Sequence, residues 1–101
     1  MTYKCDVDEL VKFISKKNLL SILRVINENP MIRYNQIQQI LHLSPTTITQ
    51  SLSLLQERDF VKRFSYAEVP TRVEYEITSK GNTLASLLDD LYHEAKNKEL
   101  L

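Results

Sequence analysis

The sequence contains very little glycine and cysteine: Gly81 and Cys5 are the only ones among 101 residues. A glycine-rich phosphate loop needs several positions without a Cβ atom, so one glycine excludes it. One cysteine excludes an internal disulfide and a cysteine-built zinc site. With His42 and His93 as the only histidines, we expect no histidine-rich metal cluster and no catalytic triad or dyad. We therefore expect a binding protein without a cofactor rather than an enzyme.

Long apolar runs and an excess of one charge are also missing. No run approaches the roughly 18 residues that a membrane-spanning helix needs, and the N-terminus lacks a signal-peptide layout, so we expect a cytoplasmic, nucleoid-associated protein. Thirteen basic residues balance thirteen acidic ones, whereas nucleic-acid binders often carry a basic excess. From Thr83 onward, however, four acidic residues face two basic ones, so the preceding part is slightly basic.

Length and composition fit one domain over residues 1–101, mainly α with a small β-hairpin. An apolar fraction of 43% with 26% charged residues is typical of globular proteins. Apolar periodicity predicts five helical segments, the first beginning at Asp6 and the second ending before Pro30. We expect Asn35 to cap the third segment. Ser44-Pro45 is a strong start signal for the fourth, because serine is a preferred N-cap and proline suits the first helical position.

Two strand-like runs, Phe60 to Tyr66 and Arg72 to Thr78, predict a hairpin over about residues 60–78. Between Val73 and Ile77 apolar residues alternate with glutamates, a period of two that indicates a half-exposed strand. A final helix, about residues 79–97, carries a stripe of leucines. These elements complete the predicted architecture.

The order helix, tight turn, helix and hairpin is that of a winged helix-turn-helix, with the helix pair at about residues 35–57. In this fold the second helix enters the DNA major groove. Ile48, Leu52 and Leu55 share the face that packs inward. Small hydrogen-bonding side chains point outward or lie on the flank, and we expect them to contact DNA: Thr46, Thr47, Thr49, Gln50 and Ser53. Gln50 suits adenine, and threonines suit phosphates or a thymine methyl. An ordinary solvent-exposed polar face is the alternative.

Three stretches carry a family resemblance that spans nearly the whole chain. MIRYNQIQQILHLSPTTITQSLSLLQERDFVKR resembles the DNA-binding core of the HxlR-type regulators, relatives of the MarR group. YAEVPTRVEYEITSKGNTL resembles their wing and the start of their last helix, and Cys5 followed by DVDELVKFIS is similar to their N-terminal region. The resemblance implies a homodimeric transcription regulator on a pseudo-palindromic operator. Its recognition helix would lie in the major groove and its wing by the minor groove.

The recognition helix departs from the family pattern in its charge. At the positions of Thr46, Ser51 and Ser53 the family commonly has basic residues, and here all three are uncharged. No Asp, Glu, Lys or Arg lies between Arg33 and Glu57. Fewer charged phosphate contacts mean a smaller counterion-release contribution, so we expect modest affinity and a weaker dependence on salt.

Basic residues outside the recognition helix are the candidates for electrostatic contact with DNA. Arg72, near the hairpin tip, is the candidate for the minor groove, and Arg33, Lys62 and Arg63 are candidates for phosphates. The alternative for Arg72 is a surface ion pair with Glu68 or Glu74, a kind of contact that stabilises a protein little.

Both terminal helices present apolar surfaces, and we expect N- and C-terminal helices to form a dimer surface. A single winged helix covers few base pairs, which also favours a homodimer. The competing interpretation is a winged-helix module for protein–protein contact without DNA binding, which zero net charge and the uncharged recognition helix favour. No residue cluster points to a pocket for a small-molecule effector.

Cys5 is a candidate redox sensor through the resemblance alone, since some members of the family detect electrophiles or oxidants with a cysteine at this position. Lys4 favours the thiolate, whereas Asp6 and Asp8 oppose it. We favour the simpler interpretation, a small residue near a helix start with no redox role.

Overall fold

A computed structural model describes residues 6–101 of the chain. This part contains five helices and three strands: α1 (Asp6–Ile14), α2 (Leu19–Glu28), β1 (Ile32–Arg33), α3 (Tyr34–Leu41), α4 (Pro45–Glu57), β2 (Val61–Tyr66), β3 (Arg72–Ile77) and α5 (Ser79–Asn97). The predicted fold class, mainly α with a small hairpin, is confirmed.

The sheet is antiparallel, with strand order β1-β3-β2. The predicted hairpin pairs β2 with β3, from Val61 opposite Ile77 to Tyr66 opposite Arg72. The hairpin is not the whole sheet, since the short extended piece before α3 adds a third strand through Ile32 opposite Tyr75. A two-residue strand carries no periodicity, so the sequence alone could not assign it a partner.

The two helices of the predicted helix-turn-helix begin in different ways. As predicted, Ser44 caps α4, its Oγ accepting a hydrogen bond from the Thr47 N–H at 3.3 Å, and Pro45 follows as the first helical residue. The prediction that Asn35 caps α3 is wrong, because the N-cap is Arg33, two residues earlier, and the helix begins at Tyr34. Gln36 Oε1 accepts a hydrogen bond from the N–H of Arg33 at 2.9 Å, so the glutamine side chain pairs the backbone N–H of the cap residue.

The core draws at least one buried side chain from every helix and strand. In α4 the predicted inward residues Ile48, Leu52 and Leu55 are at most 2% exposed. The first helix contributes far less than its apolar pattern suggests, since Phe13 is its one buried residue among the described ones. The core is therefore built around α2 and α4, and α1 lies at its edge.

Helix α5 is fixed to the base of the hairpin at its first turn. Thr78 caps it, its Oγ1 accepting from the Gly81 N–H at 3.0 Å, while the Thr78 N–H donates to the Phe60 carbonyl at 3.1 Å. Gly81 is buried against that same carbonyl, and a Cβ atom there would overlap the oxygen. Close approach, rather than an unusual backbone conformation, is therefore why this position suits glycine.

Candidate nucleic-acid interface

Helix α4 and the β2–β3 hairpin, the wing, form the two sides of a concave groove of about 700 Å³. The start of α3 and the loop between β2 and β3 also contribute residues to its lining. Five of the nine residues predicted to contact DNA line it: Arg33, Thr49, Ser53, Arg63 and Arg72. Cationic and small polar residues from four separate elements therefore line one groove.

The exposed face of α4 carries the side chains that the sequence predicted. Thr46, Thr49, Gln50 and Ser53 are all exposed, with Thr49 and Ser53 turned toward the groove and Thr46 and Gln50 outside its lining. Thr47 is half-buried, and its Oγ1 accepts a hydrogen bond from Ser44 Oγ at 3.0 Å. The Thr47 hydroxyl therefore takes part in the N-terminal cap of α4.

Ser51 differs from the other small polar residues of α4, because it is buried and only 4% exposed. A basic residue here would have to place its charge in the core or force the helix outward. Packing thus accounts for the uncharged residue at this position. Thr46 and Ser53, in contrast, are exposed, so a charged side chain would fit at either position.

Arg72 is held in place on three sides. Its Nη2 lies 3.3 Å from Glu68 Oε1, and its Nε lies 3.0 Å from Glu74 Oε1, without the alignment of a hydrogen bond. The guanidinium carbon also lies 4.1 Å from the centre of the Tyr66 ring. Both ion pairs that the sequence suggested as alternatives are therefore present. With its side chain 30% exposed, Arg72 still borders the groove.

The other candidate cations lie on different faces of the wing and helix pair. Arg63 is opposite Tyr75 in the strand register and lines the groove. Lys62 is opposite Glu76, and because side chains alternate along a strand it points to the other face of the sheet, the face that also carries Arg72 and Glu74. Lys62 lies outside the groove lining, whereas Arg72, next to the loop, is part of it. Arg33 is exposed at the end of β1, where it is the N-cap of α3.

Tyr34 is a groove residue that the sequence did not single out. It lines the groove beside Arg33, and its hydroxyl donates to the carbonyl of Pro45 at 3.3 Å. That hydrogen bond connects the first residue of α3 to the first residue of α4. The only signal in the sequence was an aromatic residue next to a predicted phosphate contact.

Both terminal helices expose large apolar side chains. In α1 these are Val7, Leu10 and Val11, and in α5 they are Leu87, Leu91 and Tyr92. The remainder of the α5 stripe packs inward, where Ala85 is buried and Leu84 and Leu88 are half-buried. One side of the leucine stripe therefore packs against the core, and the other side is exposed, with nothing in the described part of the chain covering it.

Cys5, the candidate redox sensor, lies outside the described residues. Within residues 6–101, no helix has the length and apolar character to cross a membrane. The same residues contain no group of three or more His, Cys, Asp or Glu side chains placed to hold a metal ion.

Comparison with known sequences shows similarity to bacterial regulators. The model of the HxlR-like helix-turn-helix family matches residues 13–99. An HTH-type transcriptional regulator of Halalkalibacterium halodurans is 32% identical over 82 residues, covering 80% of this chain and 73% of the relative. The regulatory protein MalR of Fusobacterium mortiferum is 30% identical over 88 residues, covering 86% of this chain and 83% of the relative.

Comparison with solved structures shows the same architecture over nearly the whole chain. A MarR-family regulator from Porphyromonas gingivalis has a TM-score of 0.78 at 28% identity, covering 92% of this chain and 91% of that one. A MarR-family regulator from Enterococcus faecalis has a TM-score of 0.80 at 26% identity, covering 100% and 97%. The described fold is therefore the winged helix of these regulators.

Proposed function

Since the chain belongs to the HxlR-like helix-turn-helix family and is a transcriptional regulator, we propose that it acts as a homodimer binding a pseudo-palindromic operator. The observation that supports this most is the groove between α4 and the wing. Three arginines, Arg33, Arg63 and Arg72, border it against one glutamate, Glu68, although the whole chain is neutral. A concave, cationic surface beside a polar helix face suits a DNA duplex.

In the proposed complex α4 lies in the major groove, so that Thr46, Thr49, Gln50 and Ser53 face the base edges. Its N-terminal turn also favours an approaching phosphate, because unpaired backbone N–H groups and the helix dipole attract anions. Arg33 and Arg63, at the borders of the groove, suit the flanking phosphates, which fix the protein on the duplex without selecting a sequence.

The wing supplies the minor-groove contact through Arg72. Its two ion pairs and the Tyr66 ring hold the guanidinium near the end of the hairpin, so less side-chain freedom is lost on binding. DNA has to compete with Glu68, the more exposed of the two carboxylate partners, for the Nη2 edge. Arg72 is therefore oriented for contact while part of its charge is masked.

The homodimer rests on the exposed apolar side chains of α1 and α5. Leu91 is 63% exposed and Val7 is 65% exposed, as expected for surfaces that a second copy covers. Leu91→Glu should convert the dimer to a monomer in sedimentation equilibrium at micromolar concentration, because the interface would bury an unpaired carboxylate. Ser86→Glu, at an exposed α5 position outside the apolar set, is the control and should leave the dimer intact. A wild-type mass of one chain would contradict the homodimer.

Selection of DNA from a random pool tests operator binding directly. The expected product is a two-fold-related pair of half-sites, one helical turn or a multiple apart, as a symmetric dimer requires. In a gel-shift titration Gln50→Ala should reduce discrimination between the selected site and random DNA. Gln39→Ala, the same change on an exposed face of α3 away from the groove, should leave discrimination unchanged. Equal loss on both DNAs would assign Gln50 to non-specific contact.

The second candidate is a winged-helix module for protein–protein contact. A neutral chain and the absence of Asp, Glu, Lys and Arg between Arg33 and Glu57 favour it. A salt-titrated shift assay on the promoter region of the protein's own gene separates the two functions. A DNA-binding regulator loses affinity as salt rises through counterion release, whereas no shift at any salt concentration would support the protein-contact module.

A further inference from the structure

We infer that the operator half-site consists of A·T pairs in both grooves, and that guanine is not recognised by the helix; this rests on the DNA binding proposed above. The starting observation is chemical. The exposed face of α4 offers Thr46, Thr49, Gln50 and Ser53, two of them carrying methyl groups, and no cationic side chain. This set of side chains is selective among base pairs.

Guanine recognition in the major groove most often uses a bidentate arginine or lysine on its O6 and N7 atoms. Helix α4 contains neither residue. The arginines bordering the groove come from other elements: Arg33 from the end of β1, just before α3, and Arg63 and Arg72 from the wing. In the docking geometry of this fold those elements face the backbone and the minor groove, so the helix lacks the bidentate cationic contact that selects guanine.

Adenine and thymine, in contrast, match what α4 presents. A glutamine pairs bidentately with adenine N6 and N7, and Gln50 has no hydrogen bond within the described part of the chain that would compete. The methyl groups of Thr46 and Thr49 suit the C5-methyl of thymine, which cytosine lacks. Ser53 accommodates either pair. The major-groove contacts therefore favour A·T pairs.

The wing favours the same base pairs from the other groove. A-tracts narrow the minor groove and strengthen its negative potential, which attracts inserted arginine. Arg72 starts from a site where Glu68 and Glu74 already neutralise it. A wide, less negative G·C minor groove, with the guanine amino group protruding into it, competes poorly with those carboxylates. The ion pairs thus make Arg72 selective for the narrow groove.

The test starts from the site selected from a random pool and uses base analogues that change one groove at a time. Deoxyuridine in place of thymidine removes only the major-groove methyl and should weaken binding about three- to fivefold per contacted methyl. 2,6-Diaminopurine in place of adenine, at the pairs beneath the wing, adds only the minor-groove amino group and should weaken binding about tenfold. Arg72→Ala should abolish the diaminopurine effect and keep the deoxyuridine effect.

A second arm assigns the adenine contact. 7-Deazaadenine removes the N7 acceptor and should weaken wild-type binding about fivefold but leave Gln50→Ala unaffected, whereas Gln39→Ala should respond like wild type. Fixed guanines within the major-groove half-site, or indifference of the wild-type protein to all three analogues, would overturn the A·T inference while DNA binding stood. Failure to enrich any sequence from the pool would instead remove the proposed function itself.

Discussion

Replacement of Gly81 by alanine has two opposing effects on the free energy of unfolding, and the two differ in size. Glycine to alanine within a helix ordinarily stabilises a protein by about 1 kcal/mol, because alanine loses less backbone entropy on folding. Here the new Cβ would overlap the Phe60 carbonyl oxygen and lie 2.8 Å from Ile77 Cδ1. Relief requires moving a carbonyl that also accepts the Thr78 N–H at 3.1 Å.

The overlap is the larger effect. Overpacking of this kind costs about 1–3 kcal/mol, and the strained hydrogen bond adds about 1 kcal/mol. After the helix gain is subtracted, Gly81→Ala should lower the free energy of unfolding by about 2 kcal/mol. For a chain of this length that corresponds to roughly 8–16 °C in the melting temperature. Far-UV circular dichroism in a urea titration is the suitable measurement, since the chain has no tryptophan.

The pair Ser86→Gly and Ser86→Ala measures the helix gain alone, at an exposed position of the same helix. Its difference should be about 1 kcal/mol in favour of alanine. If Gly81→Ala matched or exceeded the stability of the wild-type protein, the contact between α5 and the base of β2 would be looser than described. The account of why this chain keeps a glycine there would then fail.

Three further changes test the wing and the recognition helix. Arg72→Ala should weaken operator binding at least about tenfold, while its lost ion pairs and ring contact lower the free energy of unfolding by only about 1 kcal/mol; unchanged affinity in fluorescence anisotropy would contradict the wing contact. Glu68→Gln should tighten DNA binding about two- to fivefold by removing the competitor for Arg72. Glu57→Gln, an equal change of charge outside the groove lining, should have a smaller effect. Equal effects of the two changes would mean that Glu68 acts only through the net charge of the protein. Ser44→Ala should lower the free energy of unfolding by about 1 kcal/mol, because the first turn of α4 loses its cap, and a thermal melt like that of wild type would refute that role.

The fold was predictable wherever a local signal sufficed. Ser44-Pro45 fixed the start of α4, and the alternation in the second strand identified β3. What escaped prediction depends on distant parts of the chain. The pairing of Ile32 with Tyr75 joins residues far apart in sequence, and the cap of α3 came from a glutamine side chain reaching back to the Arg33 N–H, which propensity at Asn35 did not indicate.

The composition of the candidate site was easier to predict than its geometry. Helical periodicity is enough to find the exposed face of α4, which holds Thr46, Thr49, Gln50 and Ser53. Strand alternation implies that Lys62 and Arg63 point to opposite faces, but which face meets the groove depends on how the hairpin packs against α4. That Arg72 pairs with both glutamates at once could not be predicted, because the ion pair with Glu68 depends on the loop conformation that brings Glu68 to the Arg72 Nη2.

The distribution of charge is compatible with the proposed binding of DNA by a neutral chain. Most acidic residues lie outside the groove, among them Asp89, Asp90 and Glu94 on α5, while three arginines line the groove against Glu68. Non-specific affinity grows with the number of phosphates neutralised, so keeping cations off α4 limits binding to random sequences. The polar face of α4 retains its hydrogen bonds and methyl contacts, which depend on the base pair. A weakly charged recognition helix therefore reduces total affinity more than it reduces the ratio of specific to non-specific binding.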